Sequence, residues 1–299
     1  MIILHYGQLL KKLYRRLKEF VTMLKVHILT DDRVRKRGLL SEHGLSLWIE
    51  KDDKNILFDT GQTSVYTHNA KMMGINIESV DYVIISHGHY DHCGGLQYIP
   101  DSDKVRSVFV HPDAFLKKFA AVNKDEPSKE IGIPFNIHNA DIPGKNFNRY
   151  IAYPCLIQRD ILLSGEIPVD NDFEEAPVGF FMEKDQKIVP DLIQDEQMLI
   201  IEDEGELAVF LGCSHPGVIN CIQYAKKLKP DIKIKLLIAG MHLDNISRKR
   251  LDMTVDYLVQ SEIKNIIPLH CTGFTAMCEM KHKLGDRCQL LCTGDTVQI

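Results

Sequence analysis

The 299-residue chain lacks the features that define several large classes of protein. It has no apolar run of the roughly 20 residues that a transmembrane helix needs. None of its eight cysteines belongs to a Cys-x-x-Cys pair, which argues against a zinc ribbon or a thioredoxin-type redox motif. Its formal net charge of -5 argues against a nucleic-acid partner, because such binding uses basic surfaces. These absences predict a cytoplasmic globular protein with reduced thiols.

The first 22 residues differ in charge from the remainder, with five basic side chains and one acidic side chain. Leucines recur among these charges at helical spacing, so residues 1–22 are predicted to form a basic amphipathic N-terminal extension. Such a helix suits a membrane surface or a partner groove. The alternative is an extension without a role in catalysis, with Met23 as the natural start. Residues 23–299 are predicted to form a single domain.

Within residues 23–299, the hydrophobic pattern alternates between strand-like and helix-like segments. Strands are predicted at 24–30, 45–50, 55–58, 82–85, 105–110, 157–163, 198–202, 207–211, 234–239, 265–267 and 289–292. Helices are predicted at 64–73, 217–229, 247–260 and 276–284. Between about 124 and 180, frequent Pro, Gly, Asn and Asp residues predict a loop-rich insertion. A loop of that length is typically functional.

Four side chains that can bind metal follow the apolar strand 82–85 within six residues: His87, His89, Asp91 and His92. Imidazole and carboxylate groups suit zinc, iron and manganese. Gly88, Gly94 and Gly95 interrupt or follow this run, and glycine lets the backbone turn sharply enough for neighbouring side chains to converge. The spacing therefore predicts a metal site at the end of this strand.

The run Ser86-His-Gly-His-Tyr-Asp-His-Cys-Gly-Gly95 resembles the signature of the metallo-β-lactamase superfamily. Further features follow the order of that family: Asp59 lies after strand 55–58, and His215 and His270 lie after two later strands. The resemblance implies an α+β fold, a four-layer αββα sandwich with the metal ions on loops at one edge. Loops on a rigid scaffold are where catalytic groups commonly lie.

The resemblance also implies six ligands in two groups of three: His87, His89 and His215 for one ion, and Asp91, His92 and His270 for the other. By the same resemblance, Asp59 orients ligands or a bound water. The oxygen-reducing di-iron branch usually has a glutamate where His89 stands, so the chain is closer to the hydrolytic branch. One or two zinc ions are the expected cofactor, with iron and manganese as alternatives.

One departure from the family concerns the bridging aspartate that usually follows the strand before the last motif. The corresponding strand, 234–239, is followed by Gly240-Met-His-Leu-Asp244, with no aspartate at the expected place. Three explanations remain: His242 replaces it, Asp244 reaches in, or the bridge is absent. Asp59, Asp91 and His242 are the predicted catalytic residues.

Five other stretches resemble the dihydropterin-ribofuranosylaminobenzene-phosphate synthase-like branch of the superfamily: His43–Ser46, Ser164–Pro168, Asp195–Gln197, Cys213–Gly217 and Pro268–Gly273. The named member of this branch joins a pterin methyl group to a phosphorylated ribofuranosyl-aminobenzene, with loss of a phosphate-type group. The resemblance implies a metal-dependent hydrolase or transferase for a phosphorylated or pterin-like small molecule. Either metal-activated water or metal-stabilised phosphate departure would serve.

Three residues are predicted to contact the substrate: His43, Glu166 and Asn220. Asn220 is chosen because it lies in the first turn of helix 217–229, whose N-terminal N–H groups could bind a phosphate.

Alternative functions remain at this stage. Cys93, Cys213 and Cys271 lie near predicted ligands, as in an iron–sulfur electron-transfer protein, although such clusters usually need four convergent thiolates. A nucleic-acid processing hydrolase and a binding protein without turnover are further alternatives. The sequence gives no basis for predicting an oligomeric state.

Overall fold

The computed structural model describes residues 24–99, 107–121, 127–135, 148–175, 177–244 and 246–299. The predicted N-terminal extension and part of the predicted insertion lie outside these residues. In the described part of the chain, no helix combines the length and apolar character needed to cross a bilayer.

The described residues form 17 strands. In chain order they are β1 (Lys25–Thr30), β2 (Ser46–Lys51), β3 (Lys54–Phe58), β4 (Tyr82–Ile84), β5 (Ser107–Val110), β6 (Lys118–Ala121), β7 (Pro127–Glu130), β8 (Asn148–Tyr150), β9 (Cys155–Gln158), β10 (Ile161–Leu163), β11 (Phe180–Lys184), β12 (Lys187–Pro190), β13 (Leu199–Asp203), β14 (Glu206–Leu211), β15 (Ile234–Gly240), β16 (Asn265–Leu269) and β17 (Thr296–Gln298). The α-helices are α1 (Val65–Met72), α2 (Tyr90–Cys93), α3 (Val218–Leu228), α4 (Arg248–Gln260) and α5 (Phe274–Leu284).

The strands assemble into three sheets. The first has the order β17-β1-β2-β3-β4-β5-β8, and the second has the order β16-β15-β14-β13-β10-β9. Strands β3, β4, β5 and β8 run parallel in the first sheet, as do β14, β15 and β16 in the second. A small antiparallel sheet, β12-β11-β6-β7, completes the set.

Alternating side chains create the layers, because successive residues of a strand point to opposite faces. In β2, Leu47 and Ile49 lie in the core between the two large sheets, whereas Trp48 lies in the core that includes α1. In β14, Phe210 joins the central core and Val209 packs in the core formed with α3, α4 and α5. Helices therefore cover the outer faces of two packed sheets, which confirms the predicted αββα sandwich.

The predicted strand at 289–292 is wrong. Backbone carbonyls there are used by side chains: Arg33 donates to the oxygen of Leu291 at 2.8 Å, and Arg35 donates to that of Leu290 at 3.2 Å. The last strand is β17 instead, which pairs antiparallel with β1. The apolar residues at 289–292 thus resemble a strand in sequence, but arginine side chains from a distant part of the chain bond to their backbone carbonyls.

The segment 157–163, predicted as one strand, is the hairpin of β9 and β10. The region predicted as a loop-rich insertion contributes β7 to the small sheet, β8 to the edge of the first sheet, and β9 and β10 to the second. Short strands with exposed faces, such as β7, carry little hydrophobic periodicity, and this explains why the sequence pattern is weak there.

Candidate metal centre

The six predicted ligands meet at one edge of the sandwich. Each follows the carboxyl end of a strand: four follow β4, His215 follows β14 and His270 follows β16. Parallel strands place these ends on the same edge of their sheet. All six side chains belong to buried residues: His87, His89, Asp91, His92, His215 and His270.

The first predicted group consists of three histidines in contact. His87 Nε2 and His89 Nδ1 lie 3.0 Å apart. The ring of His215 has its centroid 5.1 Å from that of His87 and 4.9 Å from that of His89. The structure therefore brings these three imidazoles to one point.

The second predicted group gathers beside the first. Asp91 Oδ2 lies 3.3 Å from His270 Nε2 and 3.8 Å from His92 Nε2. The rings of His92 and His270 have centroids 5.0 Å apart. One Asp91 oxygen, one nitrogen from each histidine and the sulfur of Cys213 all lie within 4.8 Å of one another.

Asp59 fixes the orientation of His92. It lies directly after β3 and accepts hydrogen bonds from the backbone N–H of Ser86 at 2.7 Å and from its hydroxyl at 2.8 Å. Its Oδ2 also lies 2.7 Å from His92 Nδ1, which leaves Nε2 of that ring facing the cluster. Carboxylates that bind the far nitrogen of a ligating histidine set its tautomer and strengthen it as a ligand.

Two acidic residues that the sequence analysis missed hold His270, Asp32 through its ring and Asp31 through its backbone. Asp32 Oδ1 lies 2.7 Å from His270 Nδ1, and Asp31 Oδ1 accepts the backbone N–H of His270 at 2.7 Å. Both residues directly follow β1. A pair of acids at the end of a predicted strand is the signal that could have identified them.

His43 reaches the mouth of the cluster. Its Nδ1 lies 2.9 Å from Asp32 Oδ2 and its Nε2 lies 3.3 Å from Asp91 Oδ2, while about half of the side chain is exposed. It lines a cavity of about 510 Å³ that reaches the cluster. The other residues lining it are Asp32, Arg33, His242, Asp244, His270, Cys271, Gly273, Phe274 and Met277.

His242 and Asp244 occupy different places beside the cluster. The ring of His242 lies 4.5 Å from that of His215, and its backbone N–H donates to Cys271 Sγ at 3.3 Å. Asp244 instead packs against Gly273, where an added Cβ would lie 2.9 Å from Asp244 Oδ1. The ring of His242, one of the two candidates for the missing bridge, is therefore in contact with a predicted ligand.

Glu166 lies outside the cluster. Its Oε1 is 3.4 Å from His111 Nε2, and it lines a second cavity of about 470 Å³. That cavity also touches Pro216, next to His215.

The structure gives Asn220, the residue expected to contact phosphate, partners within the chain. Its Oδ1 accepts two backbone N–H groups, from Asp170 and Asn171, and its Nδ2 donates to a carbonyl. The carboxylate of Glu174 accepts the N–H groups of Ile219 and Asn220 at the start of α3. These N–H groups are therefore bonded to a carboxylate of the chain itself, and the contact between Asn220 and a phosphate stays a prediction.

Buried charged side chains hold the two loops that carry ligands, the one after β4 and the one after β14. Lys118 contacts Asp191 at 2.7 Å and Asp195 at 2.8 Å, and Asp195 also accepts the backbone N–H of Gly88 at 2.8 Å. The carboxylate of Glu196 accepts the backbone N–H groups of Ser214 and His215. Burial raises the pKa of Glu196 to about 8 in spite of these bonds.

The pKa shifts of four ligands suit metal binding, whereas at His270 burial acts to lower the pKa but Cys271, Asp32 and Asp91 outweigh it and the pKa rises. Burial, followed by the neighbouring histidines, lowers the pKa of His87 well below its usual value, and burial lowers that of His89 to about 3. Burial also lowers the pKa of His215. At Asp91 burial acts to raise the pKa, but His92 and His270 outweigh it and the pKa falls. Neutral imidazole and ionised carboxylate are the forms that bind metal.

Unpaired nitrogen atoms at the cluster test whether these residues fit a divalent metal ion. Among the described residues, His89 Nε2 and both ring nitrogens of His215 are buried without a hydrogen-bond partner. Buried polar groups in proteins are nearly always paired, so such a concentration requires an explanation. Coordination of a divalent ion supplies one, and the residues present fit such an ion.

Replacing Asp59 with asparagine is expected to weaken divalent metal binding about 10–100-fold without loss of the fold. An amide cannot accept hydrogen bonds at both of its ends, whereas both oxygens of Asp59 are acceptors. Competition with a chromophoric chelator measures the affinity. The control is Asp113→Asn, which removes a carboxylate paired with exposed Lys184. Equal affinity in the two variants would contradict the role of Asp59.

The chain is similar to proteins of one family. A family model described as the metallo-beta-lactamase superfamily matches residues 42–224, more than half of the chain. An uncharacterised protein of Methanocaldococcus jannaschii is 36% identical over 259 residues, which cover 85% of this chain and 93% of that protein. The 7,8-dihydropterin-6-methyl-4-(beta-D-ribofuranosyl)-aminobenzene-5'-phosphate synthase of the same organism is 32% identical over 268 residues, covering 86% and 90%.

Solved structures show the same fold. The crystal structure of a metal-dependent hydrolase of the β-lactamase superfamily has a TM-score of 0.77 and 26% identity, covering 92% of this chain and 99% of that one. Zinc-bound PqqB from Methylobacterium extorquens has a TM-score of 0.54 at 11% identity, covering 92% and 100%, a likeness of fold alone. The chain therefore belongs to the metallo-β-lactamase superfamily, and within it resembles the dihydropterin-ribofuranosylaminobenzene-phosphate synthase.

Proposed function

We propose that the chain is an enzyme with two divalent metal ions that acts on a phosphorylated small molecule, with a pterin-like compound as the leading substrate class. The carrying observation is the pair of buried ligand groups, His87, His89 and His215 beside Asp91, His92 and His270, at an open cavity. The 32% identity to a synthase named for a phosphorylated pterin compound supports the substrate class. Eight free cysteines support a cytoplasmic location with reduced thiols.

Divalent ions, with zinc as the first candidate, would supply Lewis-acid polarisation of a phosphoryl or leaving-group oxygen when bound. The residues of the chain hold and orient this chemistry. His43 stands half-exposed at the mouth, where its ring can contact a phosphoryl oxygen. The ring of Phe180 stacks on that of His89 at 5.6 Å and contacts that of His215 edge to face at 5.3 Å, so it covers that side of the cluster.

The two cavities bear on the choice between hydrolysis and transfer. A transferase must hold a donor and an acceptor, and the described residues form a cavity of about 510 Å³ lined by His270 and a cavity of about 470 Å³ lined by Pro216, next to His215. The second contains Tyr153, Tyr224 and Glu166, which offer aromatic faces and a carboxylate to a flat heterocycle. This lining supports a pterin-like or aminobenzene-like ligand there.

The thiols argue against the iron–sulfur alternative. Among the described residues, the candidate ligand groups contain at most two cysteines, Cys213 and Cys271. Cys93 donates instead to the backbone oxygen of His89 at 3.1 Å. Two thiols fall short of the four that such clusters usually use.

Two parallel assays test the proposal on zinc- and manganese-loaded protein. One measures phosphate release from a panel of phosphate esters, and the other measures coupling of a pterin donor to a phosphorylated ribofuranosyl-aminobenzene. We expect metal-dependent turnover in one of them, with kcat/KM reduced at least about tenfold in His43→Ala, since a positioned contact contributes more than about 1.4 kcal/mol. His68→Ala is the control, because His68 is an exposed residue that bonds Gly38. Metal-loaded protein inactive in both assays would contradict the proposed substrate class.

A further inference from the structure

The end of β15, where the family resemblance places an aspartate, has no room for a side chain. Gly240 ends this strand. A Cβ added there would lie 2.3 Å from the backbone oxygen of Gly212 and 2.9 Å from Cys271 Sγ. Real Cβ atoms do not approach a backbone oxygen that closely, so an aspartate at 240 would require the chain to move. A bridging ligand must come from elsewhere.

Cys213 lies between the two ligand groups. It follows β14 and is 3% exposed. Its sulfur is 3.1 Å from His92 Nε2. It also lies within 4.8 Å of ligand atoms in both groups: His87 and His215 on one side, and Asp91, His92 and His270 on the other.

These distances suit a shared ligand. With zinc–ligand bonds of roughly 2.0–2.3 Å, two ligands of one tetrahedral ion lie about 3–4 Å apart. The 3.1 Å between the sulfur and His92 Nε2 lies in this range, and the other separations are at most 4.8 Å, so small side-chain shifts on metal binding would let one sulfur bind both ions. Thiolate is also a preferred ligand of zinc.

We propose that the thiolate of Cys213 bridges the two metal ions and takes the place of the missing carboxylate. Coordination forms a sulfur–metal bond to each ion, and the thiol proton passes to solvent. This inference rests on the proposed binuclear site, and it adds to that site a ligand that the sequence pattern did not assign.

The other nearby thiols are engaged differently. Cys271 Sγ accepts the backbone N–H of His242 at 3.3 Å and contacts the oxygen of Cys213 at 3.6 Å. It is grouped with Cys213 and His242, and with neither of the two ligand groups. Cys93 donates to a backbone oxygen, away from the cluster. Cys271→Ser and Cys93→Ser are therefore matched controls for Cys213→Ser.

Cobalt(II) loading provides the first test, because a thiolate bound to cobalt gives an intense near-ultraviolet charge-transfer band. We expect this band in the parent protein and in both control variants, and its loss in Cys213→Ser. Circular dichroism establishes that each variant is folded. The proposal is overturned if the parent lacks the band, if Cys213→Ser keeps it, or if only Cys271→Ser loses it.

X-ray absorption on the zinc-loaded parent needs no variant and distinguishes a bridge from a terminal ligand. A bridge gives one sulfur at about 2.3 Å for each zinc ion, whereas a terminal thiolate gives one for every two ions. Half a sulfur per zinc, or none, would overturn the bridge. Two bound ions without sulfur would overturn this inference alone, whereas a protein that binds no divalent ion would also overturn the proposed function.

Discussion

Replacing both His89 and Asp91 with alanine is expected to reduce metal content from about two divalent ions per chain to none. The pair takes one ligand from each group, so neither ion keeps a complete set. Turnover of whichever substrate proves active should fall at least about 10³-fold, since metal-ion catalysis contributes several kcal/mol to transition-state stabilisation. Elemental analysis and the phosphate-release and coupling assays measure the two effects.

The fold should survive this double substitution. In the metal-free protein, His89 keeps a buried nitrogen without a partner, and an unsatisfied buried polar group costs about 1–3 kcal/mol. Added zinc should raise the melting temperature of the parent, because an ion that binds only the folded state stabilises it, and should leave that of the variant unchanged. His282→Ala with Asp286→Ala makes the same chemical change at exposed positions. Full metal content in the His89/Asp91 variant would show that the ligands are assigned wrongly.

Local spacing made the ligands of the first motif predictable. Four of the six lie within six residues after a buried strand, whereas the layered fold was implied by the family resemblance. The residues that brace them do not share this property. Asp195 lies 107 residues from Gly88 and 77 residues from Lys118, so only the folded chain brings them together. The position of Phe180 beside the cluster could not be predicted either, because this residue lies in a segment with weak hydrophobic periodicity.

The backbone strain at the cluster could not be predicted from the sequence either. Asp59, Ser214, His242 and His270 have φ values of 57°, 57°, 46° and 49°, in the left-handed region. Sequence reasoning expects glycine or asparagine there, because other side chains cost roughly 1–3 kcal/mol. The chain instead places ligands and their neighbours at these positions. The strain is compensated by hydrogen bonds such as those that the backbone N–H of His270 donates to Asp31 and the backbone N–H of Ser214 donates to Glu196.

Lys118, Asp191 and Asp195 form a buried ion triad next to the first motif. Breaking this triad has the largest expected effect on the free energy of unfolding. Lys118→Met removes the cation from two buried carboxylates, and breaking a buried pair in this way costs about 3–5 kcal/mol. The neighbouring substitution Lys117→Met is the control, since Lys117 pairs with Glu183 at the surface and should change stability by less than about 1 kcal/mol. Denaturant unfolding of the metal-free proteins measures both.

The pH dependence of this loss identifies its cause. In the parent, burial acts to raise the pKa of Asp195 but Lys118 outweighs it, so the folded pKa lies below the unfolded value of about 3.9. That stabilisation is present above pH 4 and disappears as the pH falls through the folded pKa. In Lys118→Met burial dominates, and the folded pKa of Asp195 rises above the unfolded value. The variant therefore gains stability relative to the parent as the pH is lowered.

The difference in unfolding free energy between parent and variant should thus be largest near pH 7 and should shrink toward pH 4. A difference that stays constant over this range would mean that lost packing, and not an unpaired charge, destabilises the variant. Because Asp195 also holds the N–H of Gly88, between His87 and His89, the variant should bind metal more weakly at neutral pH. Lys118 then links the stability of the sandwich to the geometry of the metal centre through one buried carboxylate.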